Sequence, residues 1–171
     1  MKNFLFIIIS TAVFGCQSGE IKTEPNENNS VEGVWEITQI IYQTPGNQIA
    51  NPAPQAGIFI FTKNYYSMTW NPNDTKQEDY KDKWRPTDDE KIESYNSIIT
   101  NSGTYEIAEG KLVTTPITAK TPAFIGGKAI YDYLVNENSL TLTLLEVISH
   151  DGVSDEGIKN YKTTIKLKGV E

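Results

Sequence analysis

The chain has little cysteine, histidine or positive charge. Its 171 residues include one cysteine and one histidine, so neither an intrachain disulfide nor a histidine-rich zinc site is possible. Lys and Arg number 15 against 22 Asp and Glu, for a formal net charge of −7. That charge disfavours nucleic acid, whose phosphates attract basic surfaces. No cofactor motif is present, and none is predicted.

Long apolar runs are also absent. The run Phe4–Ile9 follows Lys2 and is too short to cross a bilayer, and no later run is apolar enough to do so. A positive start, a short apolar run and a small-residue region are typical of a signal peptide. We therefore predict that residues 1–15 are removed.

The lone cysteine lies at the end of this region, in Val13-Phe14-Gly15-Cys16. This stretch resembles the bacterial lipoprotein lipobox, whose peptidase cuts just before the cysteine. The resemblance implies that Cys16 is acylated and holds the protein on a bacterial membrane. We expect this to be the outer membrane, and the sequence does not distinguish its periplasmic face from its surface face. Lipidation would leave the mature chain without a thiol for catalysis or metal binding. The alternative is a secretory signal with an incidental cysteine.

The next segment, Gln17–Ser30, is polar and contains no aromatic residue. It cannot bury enough apolar surface to offset the entropy of ordering, so residues 16–30 are predicted to be a flexible, lipidated tether. Residues 31–171 suit a single core in length and form the one predicted domain.

Short β-rich runs separated by turn signals recur along this domain. Turn chemistry at Lys63-Asn64, Glu109-Gly110 and Asn136–Asn138 joins neighbouring runs. We predict eight strands, at Val34–Tyr42, Ile58–Phe61, Tyr65–Trp70, Gly103–Ala108, Leu112–Thr118, Ala129–Val135, Ser139–Ile148 and Tyr161–Lys168.

Several of these strands alternate between apolar and polar residues. Leu140, Leu142 and Leu144 fall on one face, with Thr141 and Thr143 opposite. One-sided antiparallel strands need a shared interior. We therefore predict an all-β fold, an eight-stranded antiparallel up-and-down β-barrel, because closure also removes free edges. An open sandwich is the competing architecture.

One segment has helical rather than strand periodicity. Thr87 and Glu90 have the spacing of a capping box, and Ile92, Tyr95 and Ile99 recur on one face. The pattern predicts one helix over 88–100, between the third and fourth predicted strands. Turn chemistry at Asn101-Ser102-Gly103 is predicted to end it. It is interpreted either as a structural plug of the barrel or as a lid over an interior cavity.

A family resemblance rests on motifs in a particular order. Gly33-Val34-Trp35 opens the first strand, as the Gly-x-Trp signature opens lipocalins. A Gly-led hairpin (57–70), an acidic helix, Ser102-Gly103-Thr104-Tyr105 and Leu140-Thr141-Leu142-Thr143 follow. The domain therefore resembles bacterial lipocalin-like domains of lipid-anchored proteins. The resemblance implies that Trp35 plugs the closed end, with Lys166 or Lys168 as the only basic residues placed to cover it.

Noncatalytic binding of a small hydrophobic or amphipathic ligand inside the barrel is the leading functional hypothesis. Aromatic side chains supply apolar area, and tyrosine adds a hydroxyl that orients a ligand. The alternative is that these side chains simply fill the core. The candidate lining residues are Trp35, Tyr66, Met68, Trp70, Tyr105, Tyr131 and Tyr133.

An interaction module of the cell envelope is the second hypothesis. The charged insertion 71–86 carries Tyr80 and Trp84, which can form a binding surface for a protein or glycan. They can instead fold back over the apolar outer face of Ile58–Phe61. A filled barrel favours this hypothesis, whereas an open cavity favours ligand binding.

The sequence does not predict an enzyme. His150 lies in a turn without a cysteine partner, and nothing brings a chosen serine beside it. Asp151, Asp155 and Glu156 lack the ligand spacing of an EF-hand loop, so a solvated acidic turn is expected there and no metal site is predicted.

Overall fold

A computed structural model describes residues 30–170, in which nine antiparallel strands form one sheet. Helix α1 (Asp88–Asn96), a single 3-10 turn (Pro122–Phe124) and helix α2 (Glu156–Asn160) lie between strands. The predicted signal peptide, Cys16 and all of the tether except Ser30 lie outside the described residues. The strands are β1 (Gly33–Thr44), β2 (Asn47–Asn51), β3 (Ile58–Phe61), β4 (Tyr65–Trp70), β5 (Ile99–Ala108), β6 (Lys111–Ala119), β7 (Lys128–Asn136), β8 (Ser139–Ile148) and β9 (Lys162–Gly169).

Strand β1 closes the sheet because it is paired along both edges. One edge pairs with β9, from Trp35 opposite Gly169 to Gln43 opposite Lys162. The other edge pairs with β3 through Gly33 to Glu36. From β3 to β9, each strand pairs with the next one in the chain. The eight-stranded barrel predicted from the sequence is confirmed, and the open sandwich is wrong.

Strand β2, which is additional to the eight strands of the barrel, was not predicted from the sequence. It pairs with the end of β1, beyond the stretch that β3 covers, from Thr44 opposite Asn47 to Ile40 opposite Asn51. The turn is Pro45-Gly46, with Gly46 at a φ of 88°, a region open to glycine. Because β2 buries no apolar side chain, its stability depends on backbone pairing. Hydrophobic alternation therefore could not reveal it.

The inward faces follow the predicted alternation. Tyr66, Met68 and Trp70 are buried on β4. Successive side chains of a strand point to opposite faces, so these three share the interior with the alternating residues of the other strands. Leu140 and Leu142 of β8 are also buried, as are Ile165 and Leu167 of β9. The barrel interior is thus the single hydrophobic core of the described residues.

Helix α1 begins as predicted but ends earlier. The hydroxyl of Thr87 accepts from the backbone N–H of Glu90 at 3.4 Å, and the carboxylate of Glu90 accepts from the N–H of Thr87 at 2.7 Å. The predicted extension to residue 100 is wrong, because Ile99 already pairs with Trp70 in the sheet. The 3-10 turn and α2 are further short helices that the sequence pattern did not reveal.

One end of the barrel is filled by aromatic and aliphatic side chains. Trp35 is buried there and donates its indole N–H to the carbonyl of Val31 at 2.9 Å. Gly33, the first residue of the signature, has a φ of 142°, which residues with a side chain rarely adopt. Lys166 and Lys168 are exposed, and Gly169 is the β9 residue opposite Trp35. The tryptophan therefore closes this end, and neither Lys166 nor Lys168 is buried against it.

Gly103 marks a bend in the barrel wall. It lies at a register shift between β5 and β6, where a Cβ atom would come within 2.0 Å of the Thr115 carbonyl oxygen. Only a residue without a side chain permits this approach of two backbones. The Ser-Gly-Thr-Tyr element noted in the sequence is thus a strand segment that needs glycine, and the turn predicted at 101–103 is wrong.

Candidate functional site

A cavity of about 440 Å³ occupies the end of the barrel opposite Trp35. It lies among the last residues of β4, β6 and β8 and the first residues of β5, β7 and β9, which meet at one end because neighbouring strands are antiparallel. Its lining residues are Tyr42, Met68, Trp70, Pro72, Ile99, Thr100, Asn101, Ala119, Lys120, Thr121, Phe124, Ala129, Tyr131, Leu144, Val147, Asp155, Ile158, Tyr161, Thr163 and Ile165.

The walls of this cavity are mainly apolar. Met68, Trp70 and Ile165 are buried inward-facing residues of β4 and β9, and Leu144 of β8 is half-buried beside them. Space remains because the lining also includes small side chains, among them that of the buried Ala129. An apolar concavity of this volume falls within the range of small-molecule sites in proteins.

The mouth is built by the end of β1 and by residues of the segments between strands. Tyr42 and Tyr161 meet edge to face with ring centroids 6.4 Å apart, and the Tyr42 hydroxyl donates to the Pro72 carbonyl at 3.2 Å. Phe124 from the 3-10 turn and Ile158 from α2 complete the rim. Helix α1 contributes neither a buried residue nor a lining residue. The interpretation of α1 as a plug of the barrel is therefore wrong.

The inner end of the cavity is polar, and we call Asn101, Tyr66, Thr114 and Tyr131 the polar floor. The Tyr66 hydroxyl donates to Oδ1 of Asn101 at 2.6 Å. The Thr114 hydroxyl interacts with both tyrosines and donates to the Ala129 carbonyl at 3.4 Å. All four side chains are buried, and Asn101 and Tyr131 line the cavity. The floor thus offers uncharged hydrogen-bonding groups beneath an apolar chamber.

Burial changes the acidity of the floor tyrosines. Desolvation raises the pKa of Tyr66 from 10.0 to about 12, although its hydrogen bond with Thr114 opposes the rise. Desolvation also raises the pKa of Tyr131, with a smaller contribution from the neighbouring Tyr66. A phenolate would lose most of its hydration in this position. Both hydroxyls therefore stay protonated at neutral pH.

Two charged residues, Lys120 and Asp155, line the cavity among the residues the structure describes. Lys120 donates from Nζ to the Tyr95 carbonyl at 2.9 Å, and its ammonium lies 4.7 Å from the centre of the Tyr95 ring. The carboxylate of Asp155 caps α2 by accepting from the N–H of Gly157 at 2.8 Å. Both follow the strands, at the mouth, and both charges already have partners.

Three of the seven candidate lining residues, Met68, Trp70 and Tyr131, line the cavity. Tyr66 lies beneath it and reaches it through Asn101. Trp35 lies at the opposite end and does not line the cavity. Inward orientation places a side chain in the barrel but does not say at which end.

Tyr105 and Tyr133 do not line the cavity either. The Tyr105 ring packs edge to face on Phe61 at 5.3 Å, and its hydroxyl donates to the Thr62 carbonyl at 2.7 Å. Tyr133 lies opposite the buried Leu142, deeper along β7 than Tyr131, and does not line the cavity. Both belong to the filled half of the barrel.

Asn101, Phe124 and Ile158 were missed from the sequence. Asn101 was interpreted as part of a turn, although Ile99, Asn101 and Gly103 alternate in phase with inward residues of β4. That period of two was a usable signal. Phe124 and Ile158 lie in short helical turns within loops, where no periodic pattern indicates which way a side chain points.

The insertion 71–86 does not cover the outer face of β3. Trp84 is 90% exposed, and Ile58 remains 44% exposed. The backbone N–H of Trp84 donates to the Asp82 carboxylate at 3.3 Å in a tight turn. The Lys81 N–H donates to Glu90 at 2.9 Å, which fixes this turn on α1, and this bond is the main reason that the pKa of Glu90 is lowered. Tyr80 is half-buried, so the two aromatic residues differ in exposure.

His150 is exposed in the turn after β8, as expected. Its backbone N–H donates to the Ala123 carbonyl at 3.0 Å. The Ser149 hydroxyl donates to Asp151 and is the main cause of the lowered pKa of that carboxyl group. Within residues 30–170, no three His, Cys, Asp or Glu side chains are grouped so that they could hold a metal ion.

The comparisons with known proteins give one positive result. A family model described as a lipocalin-like domain matches residues 32–160. Neither the comparison with curated proteins nor the comparison with solved structures finds a match. A search for membrane-spanning helices in the described part of the chain finds none that is long and apolar enough.

The raised pKa of Tyr66 predicts a loss of stability at alkaline pH. Because the folded pKa exceeds that of the unfolded chain, the stabilisation is complete below pH 10 and disappears as pH rises through about 12. We expect Tyr66→Phe to flatten the fall in the free energy of unfolding over this window, as measured by urea titration. Tyr65→Phe, on the exposed outer face, is the matched control. An unchanged slope in Tyr66→Phe would contradict the prediction.

Proposed function

This chain belongs to the lipocalin-like domain family, and we propose that it binds a small hydrophobic or amphipathic molecule in its barrel without catalysing a reaction. The observation that supports this most directly is the apolar cavity of about 440 Å³ at one end of the barrel. Domains of this family generally bind ligands rather than catalyse reactions.

The chemistry of the cavity supports binding over catalysis. The two charged residues found in its lining among the described residues are at the mouth, where Lys120 contacts Tyr95 and Asp155 caps α2. The floor tyrosines have raised pKa values, so neither is a ready base at neutral pH. His150, the one histidine, is exposed outside the cavity lining. The arrangement can hold and orient a molecule but has no evident nucleophile or general base.

A cavity-filling pair of variants tests ligand binding. Leu144 lines the cavity, whereas its neighbour Leu145 is exposed at a register shift between β7 and β8. We expect Leu144→Trp to weaken binding of the uncharged fluorescent probe N-phenyl-1-naphthylamine by at least about tenfold, because the larger side chain occupies the chamber. Leu145→Trp should bind the probe as the unaltered protein does.

The readout is energy transfer from tryptophan to the probe during titration, with circular dichroism to verify folding. If the unaltered protein does not bind the probe, and native mass spectrometry of protein purified from its host shows no adduct, the proposed function is wrong. Equal probe affinity in both variants would place binding outside the barrel cavity.

We also propose that the protein acts at the cell envelope, attached to a bacterial membrane through acylated Cys16. The support is the sequence Val13-Phe14-Gly15-Cys16 after a short apolar run. Two or three acyl chains give stable attachment, whereas a single chain binds only marginally. The polar tether would let the barrel remain in the aqueous phase, where its mouth is accessible to a ligand.

Acylation of Cys16 has a direct test. Mass spectrometry of detergent-extracted protein should show an N-terminal peptide that begins at Cys16 and carries acyl chains. Cys16→Ser should abolish this mass and release the protein from the membrane fraction, whereas Ser18→Ala should change neither. An unmodified Cys16 in membrane-extracted protein would refute the anchor.

A second candidate function is contact with an acidic protein or glycan of the envelope through the insertion. The observation in its favour is the 90% exposure of Trp84, which lies between Lys83 and Arg85 on a turn held by Asp82. Exposed tryptophan with flanking cations is a common composition of binding hot spots. Tyr80 is half-buried and would support the turn more than the contact.

This contact can be tested by photo-crosslinking in intact cells. p-Benzoylphenylalanine in place of Trp84 should give a discrete crosslinked product, which is lost when Lys83 and Arg85 are both changed to Glu. The same group in place of Ile49, which is also exposed but lies on β2, is the control. Identical products from positions 84 and 49, or none from position 84, would reject the contact.

A further inference from the structure

The cavity is chemically polarised between its two ends. Its polar floor contains one amide and three hydroxyl groups, and Asn101 and Tyr131 are the floor residues that line the cavity, whereas Lys120 and Asp155 lie at the mouth. None of the four floor residues carries a charge at neutral pH. A ligand that enters with its polar end first therefore meets hydrogen-bonding partners without a counter-ion.

The floor has a defined direction of hydrogen bonding. The Tyr66 hydroxyl donates to Oδ1 of Asn101, so the amide of Asn101 presents its Nδ2 as a donor. The Tyr131 hydroxyl lies beside Thr114 and Tyr66, and Tyr131 is one of the residues that line the cavity. Donors near a buried apolar chamber are best matched by an acceptor on the ligand, such as a carbonyl or hydroxyl oxygen.

A carboxylate would be poorly accommodated at the same place. An ionised group that leaves water for an apolar chamber must find a positive partner, or its desolvation cost is not recovered. Among the described lining residues the one cation is Lys120, which is already held by the Tyr95 carbonyl and ring at the mouth. An acid that binds with its head outward meets the carboxylate of Asp155 at the same rim.

We propose that the cavity selects molecules whose buried end is an uncharged hydrogen-bond acceptor, such as an amide, ketone or alcohol, over the matching carboxylates. This inference rests on the proposed function, because it specifies the ligand class of the same cavity. The raised pKa values of Tyr66 and Tyr131 agree with it, since an environment that disfavours phenolates disfavours other anions as well.

The test compares decanamide with decanoate, which have nearly the same shape and differ in charge. Each competes with N-phenyl-1-naphthylamine for the full mature protein at pH 7.5. We expect decanamide to displace the probe with a Kd at least about tenfold lower than the Kd of decanoate. As pH falls towards the pKa of the free acid, the affinity for decanoic acid should rise while that for decanamide stays constant.

A pair of variants assigns the preference to the floor. Tyr66→Phe combined with Asn101→Leu removes both partners of one buried hydrogen bond, which leaves no unpaired polar group between them. This double variant should lose about tenfold or more in affinity for decanamide, measured relative to its own affinity for the apolar probe. Tyr105→Phe removes a hydroxyl that contacts Thr62 outside the cavity, and it should change neither affinity.

The outcomes distinguish a failure of the inference about the floor from a failure of the proposed ligand-binding function. If the probe binds but decanoate displaces it as well as or better than decanamide, the inference about the floor is overturned and ligand binding stands. Unchanged affinity for decanamide in a folded double variant also overturns it. If the protein binds neither the probe nor either competitor, the proposed function itself fails.

Discussion

Pairing of β1 with β9 is the interaction on which the rest of the structure depends. It joins the first and last strands of the barrel, from Trp35 opposite Gly169 to Gln43 opposite Lys162. Without it, two long strands would present unpaired backbone groups at open edges. With it, every inward-facing side chain shares one interior, and the ends of the barrel become the places where that interior can meet solvent.

The two ends then differ because their side chains differ in volume. Trp35, Phe61 and Leu167 fill one end, where β1, β3 and β9 meet. At the other end small residues such as Ala129 and Thr163 take inward positions, and space for a ligand remains. The same barrel is therefore a filled core in one half and a chamber in the other. The two interpretations of its aromatic residues, core filler and cavity lining, apply to different halves.

The polar floor lies at the boundary between these halves. Tyr66 and Thr114 are buried polar residues that satisfy one another and their neighbours, which keeps the cost of their burial low. Asn101 and Tyr131 extend this network into the chamber. A network that is stable without a ligand and has groups on the cavity side is preorganised for recognition, because little reordering is needed when a ligand binds.

The sequence by itself determined what depends on local periodicity. The alternation of Tyr66, Met68 and Trp70, and of Leu140 and Leu142, indicated inward faces and a closed barrel, and the capping box at Thr87 placed the start of α1. These features could be predicted because a strand has a side-chain period of two and a helix cap needs particular residues at a fixed spacing.

Only the tertiary structure decided what depends on long-range pairing and volume. Strand β2 buries no apolar side chain, so its pairing with β1 leaves no hydrophobic pattern. Ile99 continues a helical spacing but lies opposite Trp70, and the sheet ends the helix before it. Likewise, Trp35 and Trp70 both point inward, yet one fills the closed end and the other lines the cavity. Alternation specifies the face of a strand, whereas depth within the barrel is set by strand register, which arises only when the partner strands meet.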